Sequence, residues 1–251
     1  VTNMELTSAY ASIANGGTYQ KPVLYTKVVD HNGNILLSNT QKGKRVMKES
    51  TAFLLTDAMK DVITKGTGKS AKLSSSMAVA GKSGTTSNSY DYWFSGYTPY
   101  HTASVWMGYD KNTNFASDNT HKKIWAKVMN EIIKTKQEQT TDFKKPADIV
   151  KAKVCKESGK LAIKGVCDHD PRGSRVITEY FEKGTVPTQT CDIHVAVEVC
   201  KTSDKLATKN CPANKKQRKI YIVRKKGSHG KTADTPYLLP KKYQSVFCKK
   251  H

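Results

Sequence analysis

Apolar residues at Phe53, Leu54, Leu55, Ala58, Met59, Val62 and Ile63 follow the helical period until Gly66-Thr67-Gly68 breaks it, which predicts a helix over Glu49–Thr64. A second stripe, Ile124, Trp125, Val128, Met129, Ile132 and Ile133, runs through residues 122–134 with lysines and Glu131 elsewhere. It predicts an amphipathic helix lying on a sheet. Near the start, Thr2-x-x-Glu5 has the form of a capping box and Asn15-Gly16-Gly17 that of a stop, so residues 3–14 should be a short helix. Alternation marks the strands. In residues 102–109, Ala103, Val105, Met107 and Tyr109 alternate with Ser104, Trp106 and Gly108, and both sides carry bulk, as in a sheet covered on both faces. Residues 77–86 and 92–97 also read as strands, and residues 25–30 and 34–37 form a hairpin around His31-Asn32-Gly33. A run of strands with helices on either side indicates an α+β, or mixed α/β, fold in which an antiparallel sheet packs against helices.

The pattern fades after residue 135. Residues 135–146 are polar and nearly free of large apolar side chains, so three parts are expected: a core domain over 1–135, a linker over 136–150 and a tail over 151–251. The tail contains a repeat. Val154-Cys155-Lys156-Glu157-Ser158-Gly159-Lys160-Leu161-Ala162 returns 45 positions later as Val199-Cys200-Lys201-Thr202-Ser203-Asp204-Lys205-Leu206-Ala207, identical at seven of nine positions. Each copy has a second cysteine shortly downstream, Cys167 or Cys211, and a third further on, Cys191 or Cys248. All six cysteines therefore lie beyond residue 150, in a region poor in core-forming residues. Their even number there predicts disulfides and an oxidising compartment. Zinc is the alternative, but no Cys-x2-Cys pair exists, and His169 and His194 lack the paired spacing of common zinc motifs, so no metal is expected.

Charge narrows the partners. Lys and Arg number 42 against 21 Asp and Glu, a net +21, which favours polyanions such as nucleic acid, anionic lipid or an anionic wall polymer. Nucleic acid is not expected, because the aromatics sit in strands of the core domain instead of being interleaved with the basic runs. No apolar run is long enough to cross a bilayer, and the first residues lack a signal pattern. Val1 stands where an initiator Met would be, so the expectation is a fragment of a parent protein whose anchor lies outside this sequence.

One stretch carries chemistry. Ala80-Gly81-Lys82-Ser83-Gly84-Thr85-Thr86 is followed by Tyr92-Trp93-Phe94-Ser95-Gly96-Tyr97-Thr98-Pro99 and by Val105-Trp106-Met107-Gly108-Tyr109-Asp110. A Lys-[Ser/Thr]-Gly strand is the third signature of penicillin-binding proteins and class A β-lactamases. The order of elements around it, across residues 1–135, resembles the class A, bifunctional penicillin-binding proteins. The resemblance implies the C-terminal part of a serine DD-transpeptidase domain, which cross-links peptidoglycan stem peptides by acyl transfer and is trapped by β-lactams. It also implies that Lys82 supplies a positive field near the nucleophile and the substrate carboxylate, that the Ser83 hydroxyl binds that carboxylate, that Gly84 lets a peptide lie alongside, and that the Thr85 N–H forms half of an oxyanion hole. Thr86 and Trp93 become substrate contacts, with plain core packing the simpler reading for Trp93 and Phe94. The family usually has Thr at position 83; Ser keeps the donor.

The nucleophilic Ser-x-x-Lys and the Ser-x-Asn element, which should precede Lys82, do not. Ser117-Asp118-Asn119 falls after it, and Ser228-His229-Gly230-Lys231 sits in the basic tail. The fragment alone is therefore expected to be inactive. No cofactor is required, and the extracytoplasmic face of the bacterial membrane is the expected location. A DD-carboxypeptidase or β-lactamase relative is an alternative, as is a cell-wall-binding module in which the tail touches a wall polymer or membrane surface through Lys215-Lys216-Gln217-Arg218-Lys219 and Arg224-Lys225-Lys226.

Overall fold

A computed structural model describes residues 1–116, 118–223 and 232–250. Ser117, Arg224-Lys225-Lys226 and Ser228-His229-Gly230-Lys231 lie outside the described residues. The chain divides into two compact units, Val1–Ile149 and Val150–His251.

In the first unit, α1 (Asn3–Ala14) begins at a reciprocal cap: Thr2 Oγ1 accepts from the Glu5 N–H at 3.2 Å, and Glu5 accepts from the Thr2 N–H at 2.8 Å. Two otherwise orphaned donors are thereby satisfied. The helix is followed by Gly17 at φ +86°, where an added Cβ would meet the Met47 carbonyl oxygen at 2.4 Å, so only glycine allows this turn. Then come β1 (Thr18–Tyr19), β2 (Lys27–Val29), β3 (Ile35–Ser38) and β4 (Lys44–Arg45). Asp30 Oδ1 closes the β2–β3 hairpin by accepting from the N–H groups of Asn32 and Asn34 at 2.9 and 2.8 Å. β4 pairs back with β1, a ladder too short to show any period in sequence.

α2 (Glu49–Thr64) leads to β5 (Ala80–Thr85), β6 (Asp91–Tyr97) and β7 (Thr102–Gly108), an antiparallel sheet in that order, with α3 (Thr120–Lys136) after it. The register places Ser83, Phe94 and Val105 in one row and Lys82, Ser95 and Ser104 in the next, hence on opposite faces. On the first face, Phe94 meets Trp125 of α3 edge-on at 5.2 Å, within a cluster that includes Ile63, Met77, Val79 and Met129. On the second, Ala80 and Tyr97 pack with Met59 of α2 and with Tyr10 and Ile13 of α1. Both faces are covered, as the bulk along residues 102–109 requires.

α3 lies on the sheet as expected but in a different rotation. Its buried residues are His121, Lys122, Trp125, Ala126, Met129 and Ile133, while Ile124 and Val128 are 45% and 47% exposed. Trp125 decides the phase: its Nε1 donates to the Ala103 carbonyl at 3.0 Å, which carries Lys122 inward and rolls Ile124 and Val128 out. The polar stretch after α3 adheres to this unit. The Ala78 N–H donates to the Thr141 carbonyl at 3.2 Å, Lys60 Nζ meets Asp142 at 2.8 Å, and Phe143 stacks edge-on to Tyr97 at 5.4 Å.

The second unit comprises β8 (Ile149–Cys155) paired with β9 (Val176–Glu182), then β10 (His194–Cys200) between β11 (Lys205–Leu206) and β12 (Lys216–Ile222), and a terminal turn of helix, α4 (Lys242–Ser245). The sequence repeat is also a structural one. The Cys191 N–H donates to the Leu161 carbonyl and the Cys248 N–H to the Leu206 carbonyl, both at 2.8 Å. The Ala162 N–H donates to Lys153 at 3.1 Å and the Ala207 N–H to Glu198 at 2.9 Å. In place of a large apolar core, each repeat closes around three cysteines.

Candidate functional site

The tetrad Lys82-Ser83-Gly84-Thr85 occupies β5, the edge strand of the three-stranded sheet. At the hairpin that follows, the Thr86 N–H donates to the Asp91 carbonyl at 3.1 Å, toward β6. Backbone groups alternate sides along an antiparallel strand, so the N–H groups of Thr85 and Ser83 face the free edge. The Ser83 carbonyl lies on that side too, where it accepts from Lys82 Nζ at 2.7 Å. A peptide laid along this edge would meet the N–H groups of Ser83 and Thr85.

The two glycines of the strand differ in kind. A Cβ at Gly81 would come within 2.8 Å of both Phe94 Cζ and the Ser95 carbonyl oxygen, so internal packing demands glycine. At Gly84 it would meet only Trp93 Cβ, at an ordinary 3.5 Å. Nothing inside the fold requires glycine there.

Ser83 Oγ lies 2.9 Å from Thr67 Oγ1, in the turn that ends α2. That turn is braced by Lys122, a residue absent from the sequence-based candidates: its Nζ donates to the Thr67 carbonyl at 2.8 Å and to Asn119 Oδ1 at 2.7 Å. Lys122 is only 7% exposed, and burial, then the charge of Lys82, holds its ammonium pKa below the ordinary value. The positive charge of Lys82 is thus felt at Lys122. A lysine at the start of an amphipathic helix reads as solvated in sequence; only the rotation fixed by Trp125 reveals it.

Thr86 does not present a free hydroxyl. Its Oγ1 donates to Asp91 Oδ2 at 3.0 Å and accepts from the Asp91 N–H at 2.9 Å, while Trp106 Nε1 donates to Asp91 Oδ1 at 2.8 Å. Asp91 therefore ties the β5–β6 turn to β7. Trp93 is half-buried beside Trp106, ring centroids 6.3 Å apart, on the face that carries Lys82, whereas Phe94 is fully buried core.

In the second unit all six cysteines are buried free thiols, gathered as Cys155, Cys167 and Cys191 with His194, and as Cys200, Cys211 and Cys248. His194, at the first residue of β10, has no signal of its own in the sequence.

The family described as penicillin binding protein transpeptidase domain matches residues 1–134, and that described as penicillin-binding protein 1A, C-terminal domain, matches residues 145–196. Penicillin-binding protein 1A of Clostridium botulinum (strain Langeland) is 36% identical over 241 residues, 94% of this chain and 28% of the relative. Penicillin-binding protein 1A/1B of Bacillus subtilis is 31% identical over 204 residues, 75% of this chain and 22% of the relative. The chain thus spans about a quarter of the length of these curated relatives. Among solved structures, penicillin-binding protein 1A from Haemophilus influenzae superposes with a TM-score of 0.60 at 23% identity, over 76% of this chain and 33% of that one, a likeness of fold.

Proposed function

Since the chain belongs to the penicillin-binding protein transpeptidase family, we propose that its first unit forms one wall of a serine D-Ala-D-Ala transpeptidase site, with the nucleophile supplied by sequence upstream of Val1. The observation that carries this reading is the Lys82-Ser83-Gly84-Thr85 edge, with two N–H groups turned outward.

The chemistry follows from these positions. The serine Oγ attacks the penultimate D-Ala carbonyl of a stem peptide, and the developing oxyanion accepts from the Thr85 N–H and from the nucleophile's own N–H. Donors of this kind contribute ~2.7–4 kcal/mol to a transition state. The C–N bond breaks, the terminal D-Ala leaves with a proton on its amine, and an acyl ester remains. An amine of a neighbouring strand then attacks that ester, forming the cross-link amide and returning the proton to the serine. Lys82 and Ser83 hold the substrate carboxylate, and β-lactams acylate the same serine.

Membership of a family of peptidoglycan-synthesis enzymes supports a location on the extracytoplasmic side of the membrane. No helix among the described residues is long and apolar enough to cross a membrane. The excess of 23 Lys and Arg over 9 Asp and Glu in residues 151–251 supports their contact with anionic wall polymers or an anionic membrane surface.

Fluorescent-penicillin acylation tests the reading on residues 1–251 beside a version extended upstream through the Ser-x-x-Lys element. Hydroxylamine-sensitive label only on the extended protein is expected. Label on residues 1–251 alone would overturn the upstream nucleophile.

A further inference from the structure

We propose that the C-terminal unit is a structural zinc module in which Cys155, Cys167, Cys191 and His194 enclose one Zn2+ ion, and the second repeat, with Cys200, Cys211 and Cys248, encloses another.

The first site has a complete ligand set. The three sulfurs and the imidazole nitrogen are all buried and all lie within 4.8 Å of one another. His194 Nδ1 is 3.4 Å from Cys155 Sγ and 3.3 Å from Cys191 Sγ. Zn–S bonds of about 2.3 Å and Zn–N bonds of about 2.0–2.1 Å at tetrahedral angles put ligand atoms roughly 3.6–3.8 Å apart, so little movement is needed to admit the ion. Four protein ligands with no open position and no water access make a structural site, not a catalytic one.

The surroundings point the same way. His194 Nε2 lies 2.6 Å from Asp170 Oδ2, and both side chains have no exposure. Arg172 Nη2 and Nε donate to Asp170 Oδ2 and Oδ1 at 2.7 and 2.9 Å. Two Arg172 nitrogens and the His194 ring thus converge on one buried carboxylate. With Arg172 donating to both of its oxygens, Asp170 is disposed to accept from Nε2, which leaves the Nδ1 lone pair facing the thiols. Metal-bound histidines commonly carry such a carboxylate on the far nitrogen. The Ile163 N–H also donates to Cys167 Sγ at 3.3 Å.

The second repeat reproduces the first. The Thr208 N–H donates to Cys211 Sγ at 3.3 Å, as Ile163 does to Cys167. The Leu161 N–H donates to Gln189 and the Leu206 N–H to Val246, each two residues before the third cysteine. This register places the closing segment of the second repeat 57 residues after that of the first, so Cys191 corresponds to Cys248.

Disulfides, which the cysteine count suggests, fit the geometry less well. Each cluster holds three thiols, so one bond per cluster would strand the third sulfur, and it would give the aimed imidazole of His194 nothing to bind. Iron–sulfur clusters normally take four cysteines, whereas Cys3His at tetrahedral spacing suits zinc.

The test is elemental analysis of the purified chain, residues 1–251, by plasma mass spectrometry, with thiol alkylation and mass measurement on the same sample. Two zinc ions per chain and six alkylated cysteines after denaturation in chelator are expected. Folded protein with no zinc and with paired sulfurs overturns the proposal, and stoichiometric iron or copper overturns the choice of metal. A single zinc, lost in Cys155→Ser but kept in Cys211→Ser, overturns the second site and sustains the first. Because cysteine variants can fail to fold, His194→Cys provides the second arm. It should retain zinc, and after cobalt substitution its thiolate-to-metal charge-transfer absorption should be stronger than that of the parent. An unchanged cobalt spectrum would show that His194 is not a ligand.

Discussion

Gly81 and Gly84 stand three residues apart on β5 and are glycine for different reasons. Gly81→Ala pushes a methyl into Phe94 and the Ser95 carbonyl and should cost ~1–3 kcal/mol, read as a lower denaturant midpoint. Gly84→Ala meets only an ordinary contact and should leave the midpoint within about 0.5 kcal/mol. In the upstream-extended protein it should nonetheless slow penicillin acylation by about tenfold or more, the loss of one well-placed approach. Equal acylation rates for Gly84→Ala and the parent would remove the case for substrate pairing along β5. His121 provides a pH signature at the same scale. Burial, then the charge of Lys122, lowers its pKa from 6.5 in the folded chain. The unfolded chain therefore binds more protons below about pH 6.5, and stability falls as pH drops through that value toward the folded pKa. The urea midpoint should decline between about pH 7.5 and 5.5, and His121→Gln should decline less. Equal declines would assign the effect to other groups.

Among the elements, α3 shows how packing overrides a plausible stripe. Its apolar residues occupy more of the circumference than the sheet can cover, so period alone admits two rotations. Trp125 selects one, because its Nε1 finds the Ala103 carbonyl while its ring fills the space against Phe94. Trp125→Ala should cost ~3–5 kcal/mol, whereas Ile124→Ala, at an exposed position, should fall within about 0.5 kcal/mol. Thermal unfolding of the two variants checks the assignment, and comparable losses would favour the rotation that places Ile124 inward. The same rotation carries Lys122 to the Thr67 turn, which in turn holds the Ser83 hydroxyl. A helix phase thus shapes the electrostatics of a strand.

At the level of the whole molecule, the two units differ in what sustains them. The first buries Trp125, Tyr97, Phe94 and Met129 completely, whereas cysteines are the most numerous buried side chains of the second. Regions with so little apolar volume need cross-links or metal to fold. Chelation of the folded chain should therefore abolish amide-exchange protection in residues 150–251 and leave residues 1–149 protected. Protection that persists in the second unit after full removal of zinc would mean that the ion is not structural.

Much of this protein was legible in sequence where the signal is local. Helical period and the Thr2 to Glu5 cap define α1 and α2, alternation defines β6 and β7, and the order of motifs around Lys82-Ser83-Gly84 identifies the family. Composition located the cysteine-bearing unit and its repeat. Tertiary structure alone decided the rest. The phase of α3, the role of Lys122 and the commitment of the Thr86 hydroxyl to Asp91 depend on which side chains find partners across the sheet. The ligand cluster is the clearest instance: Cys155 and His194 are 39 residues apart and meet only because two strands and their closing segments fold together. Spacing rules recognise ligands that share one turn of chain, and here the backbone ladder, not the turn, sets their distance.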